Sequence, residues 1–172
     1  MTRTSIALTL LLAAAACGSD HDGETLAHQI DDARAHVDEL RAEVDGHADA
    51  ALAATDLAML QGMEGPHRDA MTGHMDDLGH AIGDMSMCDG ALDDRVDAMM
   101  SMHDDCDEER GRHQDSAAAT TSLDEAFAEE ERHRGQMIDC LDELDGMMHG
   151  IMTDHGEAMC RGHHGMDDHD RP

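Results

Sequence analysis

The chain has 172 residues, room for one domain or a single bundle, and its 40 acidic residues against 11 basic ones give a formal net charge of −29. Such a field repels a phosphate backbone, which excludes nucleic acid as a partner, and it draws in cations. Trp and Tyr are absent and Phe127 is the sole aromatic, so a compact core would lack its largest space-fillers, whereas abundant Ala, Leu and Met suit long helices that share narrow seams.

In chain order, the short start Met1 to Ser5 carries one basic residue, Arg3, and leads into the apolar stretch Ile6 to Ala16. That stretch is too short to span a bilayer. Residues 1–16 have the layout of an export signal peptide. Leu12 to Cys17 reads L-A-A-A-A-C, which resembles the lipobox of bacterial lipoproteins. The resemblance implies cleavage before Cys17, acylation of its thiol with palmitate-like chains, and an exported protein anchored to a bacterial membrane, facing the periplasm or the cell surface. Gly18 follows, where an Asp would resemble an inner-membrane retention signal, so the outer membrane is expected. Residues 17–23 read as the lipidated tether.

The pattern then turns helical. Ile30, Ala33, Val37, Leu40, Val44 and Ala51 form one seam with His47 on it, predicting a helix over about 24–61 that Gly62, Gly65 and Pro66 end. Met71, Leu78, Met85, Leu92, Met99, Cys106 and His113 recur every seventh residue through Asp89-Gly90 without a slip. This predicts one helix over about 67–113. Gln114 to Ser122 reads as a loop. A third helix over about 122–160 carries Phe127, Leu141, Met148 and His155 on one row and Met137, Leu144 and Ile151 on the next. The expectation is an all-α fold, an antiparallel bundle of three long helices within residues 24–162, with a four-helix bundle turning at Asp89-Gly90 as the alternative. Residues 163–172 read as a flexible His-rich tail.

The chemistry lies in 16 Met, 15 His and 5 Cys. Between Cys17 and Ala58 there is neither Met nor another Cys; a Met that merely fills cores would have entered the first helix too. Thioether, thiolate and imidazole suit Cu(I), and imidazole also serves Zn(II) and Ni(II). Met71, Met75, Met85, Met99, Met137 and Met148 fall at core spacing, whereas Met87, Met100, Met102, Met147 and Met152 fall off the seams. Candidate ligands to copper, or alternatively zinc or nickel, are Met85, Cys88, Met99, Met100, Met102, His103 and Cys106 in the middle of the chain. Further along they are His133, Met137, Cys140, Met147, Met148, His149 and Met152, and near the end Met159, Cys160, His163 and His164.

With hairpin turns placed at Met63-Glu64 and Ala117-Ala118, His47 faces His80 beside the small Ala81, and His155 faces the same place from the third helix, a layer of three further candidate metal ligands. In that register His103 meets His133, Met99 meets Met137, and Cys88 meets Met147-Met148. His28, His36, His67, His113 and His169 read as solvated. With Cys17 acylated, the other four cysteines imply two disulfides in an oxidising compartment, yet this register aligns no pair. A shift of one heptad would set Cys88 beside Cys140. A short echo, Met85-x-x-Cys88 before His103 and Met137-x-x-Cys140 before His155, gives those two cysteines equivalent places.

The body has a general likeness to bacterial copper-storage bundles, although Met and His outnumber Cys here. The function expected is an envelope-anchored protein that binds or sequesters soft metal cations, copper first. No nucleophile and base set or nucleotide-binding glycine motif marks an enzyme. The alternative is a structural spacer or adaptor bundle without a metal role, and bundles of either kind could self-associate.

Overall fold

A computed structural model describes residues 25–88 and 90–155. The expected signal, Cys17 and the tether, together with Met159, Cys160, His163, His164 and the tail, lie outside the described residues. Within them the chain forms four helices: α1 (Leu26–Leu52), α2 (Leu57–Met85), α3 (Asp93–Ala119) and α4 (Leu123–His155), with a 3-10 turn at Gly90–Leu92 ahead of α3. Each helix packs on its chain neighbour and α1 closes the ring on α4, so α1 and α3 are diagonal, as are α2 and α4. The fold is an antiparallel four-helix bundle. No described helix is long and apolar enough to cross a membrane.

The all-α expectation holds, and of the two arrangements it is the four-helix alternative, with its turn next to Asp89-Gly90, that forms. Met85 and Leu92 are both fully buried, yet the heptad between them contains the end of α2, a turn and the start of α3. Two antiparallel helices feeding one core can keep a seven-residue phase across their turn, which is why a single helix over 67–113 was predicted.

The first loop is also displaced. It runs over residues 53–56, because Asp56 caps α2 by accepting the Met59 N–H at 2.9 Å. Gly62, Gly65 and Pro66 therefore lie inside α2. An interior Pro costs about 3 kcal/mol relative to Ala, but Leu60, His67 and Met71 around it are buried, and that packing holds the helix through the breaker. The third boundary is near its predicted place. Ser122 accepts the Glu125 N–H at 3.2 Å and Glu125 reaches back to the Thr121 N–H at 3.0 Å, a reciprocal cap.

Buried positions of the first hairpin recur in the second at a constant offset of 66, with no insertion: Leu26 and Leu92, Ile30 and Val96, Leu40 and Cys106, Ala51 and Ala117, Met71 and Met137, Leu78 and Leu144, Met85 and Ile151. Helix starts follow the same offset, Leu57 for α2 and Leu123 for α4. The bundle is thus two copies of one helical hairpin pattern, and the shorter echo around Cys88 and Cys140 does not correspond to it. The sulfur-rich core positions Met71, Met75, Met85, Met99, Met137 and Met148 are all at most 2% exposed. Each such side chain contributes about 1.5–3 kcal/mol through burial.

Candidate metal centre

Both hairpin loops, residues 53–56 and 120–122, lie at one end of the bundle. A few turns below them every helix turns a Glu and a His inward. α1 supplies Glu43 and His47 and α3 supplies Glu109 and His113, four residues apart; α2 supplies Glu64 and His67 and α4 supplies Glu130 and His133, three apart. Those are the two spacings that put side chains on one helix face. All eight obey the offset of 66. The cluster lies between the main apolar core and a smaller one at the loop end, built from Ala51, Ala54, Leu60 and Ala126 with Phe127 against them.

The four imidazoles form two stacks, His47 on His67 with centroids 3.8 Å apart and His113 on His133 at 3.9 Å. His47 Nε2 lies 3.4 Å from Glu64 Oε1 and 3.1 Å from Glu130 Oε2. His113 Nε2 lies 3.3 Å from Glu64 Oε2 and 3.7 Å from Glu130 Oε1. An outer ring of carboxylates touches the other ring nitrogens: Glu43 Oε1 is 2.9 Å from His67 Nδ1, Glu129 Oε1 is 3.2 Å from His113 Nδ1, and Glu109 Oε1 is 3.8 Å from His133 Nδ1. Glu109 in turn accepts hydrogen bonds from Arg112 and Arg132 at 2.9 and 2.8 Å.

The central contacts are short but misaligned for hydrogen bonding. Among the described residues, the buried side-chain polar atoms without a hydrogen-bond partner are His47 Nε2, Glu64 Oε1, His67 Nε2, His113 Nε2, Gln114 Nε2, both Glu130 oxygens and both His133 nitrogens. All belong to this cluster or adjoin it. Each orphaned group costs about 1–3 kcal/mol, and folded proteins rarely keep so many together unless something else engages them. One nitrogen each from His47, His67 and His113 lie mutually within 4.8 Å, as do one atom each from His47, Glu64, His113 and Glu130. The donor set fits a metal cation.

Protonation follows the layering. Burial opposes a charge on His47, but Glu130 and Glu64 outweigh it and raise the pKa to about 9. Burial opposes a charge on His113 too, and Glu64, Glu130 and Glu129 raise it. Burial would raise Glu64, yet His113 and His47 hold it well below the usual carboxylate range. His67 is lowered by burial against the pull of Glu43. Burial, reinforced by positive charge on His113, His67, His47 and Arg132, drives His133 down to about 2.

A surface cleft lined by Gln61, Glu64, Arg68, Gln114, Ala117 and Ala118 reaches the centre at Glu64. At the positions related by the offset of 66, Phe127 stands for Gln61, Ala48 for Gln114 and Leu52 for Ala118. The Glu64 side chain is accordingly 20% exposed and its counterpart Glu130 3%.

Of the candidate ligands, the structure brings together His47 and His133. His47 does not face His80 and His155 but His67, because the first loop lies about two to three helical turns earlier than assumed. His80 is exposed on α2 and His155 ends α4. His67, expected on a solvated face, is buried at 4%, and His113, read both on the heptad row and as solvated, is buried at 1% as the row requires. His103 does not meet His133; its Nε2 lies 2.9 Å from the Met75 carbonyl, over Gly79, where a Cβ would approach that ring to 3.1 Å. Cys106 and Cys140 form a disulfide with α-carbons 6.0 Å apart, and Cys88 is disulfide-bonded as well, so none of the three is a free thiolate. Met85, Met99, Met137 and Met148 are core; Met100, Met102, Met147 and Met152 pack partly buried against it; His149 is exposed.

Sequence reasoning missed His67, His113 and the five glutamates 43, 64, 109, 129 and 130. The signal for all but Glu129 was the offset of 66, at which Glu43, His47, Glu64 and His67 recur as identical residues, whereas Met63 stands at the position related to Glu129. Comparison with family models, with curated proteins and with solved structures finds no match.

Proposed function

We propose that this protein is an envelope-anchored metal-binding protein whose ion seat is the buried His/Glu centre. The observation that carries the reading is the convergence of orphaned nitrogens and carboxylate oxygens on one buried point from all four helices. Imidazole and carboxylate suit borderline divalent cations such as Mn(II), Fe(II), Co(II), Ni(II), Zn(II) and Cu(II), whereas Cu(I) prefers sulfur. Copper in this reading is therefore Cu(II) at the histidines and not Cu(I) at the methionines. Disulfide bonding of Cys88, Cys106 and Cys140 agrees with an oxidising compartment, which suits the export that the signal-like start of the chain implies. The acidic exterior concentrates cations near the cleft at Glu64.

The test is titration of the metal-stripped protein with Co(II) in excess Mg(II), which occupies surface carboxylates. Expected is a tight phase with a visible ligand-field spectrum, abolished in His47→Ala and retained in His36→Ala. A featureless, weak isotherm shared by all three proteins would leave a spacer bundle as the better description.

A further inference from the structure

We infer that the centre is built for two cations bridged by the carboxylates of Glu64 and Glu130, an inference that rests on the metal-binding reading above. Each of these carboxylates turns its two oxygens to two different histidines. Glu64 presents Oε1 to His47 and Oε2 to His113 at 3.4 and 3.3 Å; Glu130 presents Oε1 to His113 and Oε2 to His47 at 3.7 and 3.1 Å. The distances fall into pairs under exchange of the two hairpins, 3.4 with 3.7 Å and 3.3 with 3.1 Å. The repeat is thus expressed in the geometry of the site as an approximate twofold between the two carboxylates.

That symmetry bears on stoichiometry. A single ion on the twofold that took one oxygen from each carboxylate would leave the second oxygen of Glu130 buried with no hydrogen bond, and the two oxygens of Glu130 face two different histidines, not one shared point as chelation of a single ion would need. Two ions, one on the His47 side and one on the His113 side, engage both oxygens of each bridge. A further imidazole is at hand, since His67 Nε2 is orphaned and one nitrogen of His67 lies within 4.8 Å of nitrogens of both His47 and His113, while His133, stacked on His113, keeps both of its nitrogens without a hydrogen bond. Glu43 contacts His67 at Nδ1 and so leaves its Nε2 free to ligate. Carboxylate bridges of this kind hold divalent ions about 3.5–4 Å apart. The ligand class is a pair of first-row divalent cations with nitrogen and oxygen preference.

The experiment loads the metal-stripped full-length protein with Mn(II), passes it over a desalting column in Mg(II) buffer, and combines elemental analysis with electron paramagnetic resonance. Expected are two Mn(II) per chain and the multiline spectrum of an exchange-coupled pair. Glu130→Gln keeps volume and one oxygen, and circular dichroism checks its fold; it should retain at most one Mn(II) and lose the coupling. One ion per chain in the wild type, or two without coupling, overturns the bridged pair while leaving metal binding intact. No retained Mn(II), Co(II) or Zn(II) overturns the metal reading itself.

Discussion

At the scale of single residues, the centre combines two kinds of histidine with opposite effects on the metal-free fold. His133 is neutral, 2% exposed and without a partner at either ring nitrogen. Its orphaned atoms cost about 1–3 kcal/mol each. His133→Leu should therefore raise the melting temperature of the stripped protein while weakening Co(II) binding at least tenfold. Equal or lower stability in the stripped variant would mean that the ring is satisfied after all. The pH profile follows from the same division. His47 and His113 are raised above 6.5 in the fold, so their contribution is full below that value and is lost as pH climbs, for His47 toward about 9. His67 and His133 are lowered, so the fold resists protonating them and loses stability as pH falls below 6.5. Glu64, held below 4.5, adds a further loss in acid. Thermal melts in chelator should peak close to pH 6.5 and decline on both sides; a flat profile from 5 to 9 would contradict the assignment of charge within the cluster.

At the scale of elements, the two hairpins carry the same inward glutamates and histidines but different covers. Gln61 and Gln114 leave a cleft between α2 and α3, where the other hairpin's counterparts are Phe127 and Ala48. Gln61→Phe should copy the closed side onto the open one. Co(II) uptake followed by stopped flow is expected to slow several-fold, with the final absorbance unchanged. A rate equal to wild type would place the entrance elsewhere. Much at this scale was legible in the sequence. Ile30, Ala33, Val37, Leu40, Val44 and Ala51 are all buried as their periodicity requires, and so are Met71, Leu78, Met85, Leu92, Met99, Cys106 and His113. The first turn was not, because Pro66 signals a break more loudly than the Asp56 cap, and the second was legible only as the alternative, because Met85 and Leu92 keep phase across it. Since register follows from the turns, the site was lost with them. His47 was read on a core row, and it is buried there. Its true partners were hidden: Glu64 and Glu130 are two among 40 acidic residues, and only their helical spacing to a histidine, repeated in the second hairpin, sets them apart.

At the scale of the whole molecule, a net charge of −29 works against compactness, and a cation bound at the buried His/Glu centre would work for it. These two effects differ in how salt reaches them. Repulsion among surface carboxylates is screened over about 8 Å at 0.15 M salt, so sodium chloride should raise the melting temperature and helicity of the stripped protein. A cation that binds only the folded form adds about 2.7 kcal/mol at a hundredfold excess over Kd. Its ligands are buried and little screened, so that gain should survive where the surface term is exhausted. Melting curves of stripped and Zn(II)-loaded protein at low and high sodium chloride are therefore expected to be additive, with salt and metal each raising the midpoint by an amount independent of the other. Were the zinc increment to vanish at high salt, the ions would be held by the acidic surface, and the converging glutamates and histidines of the four helices would need another explanation.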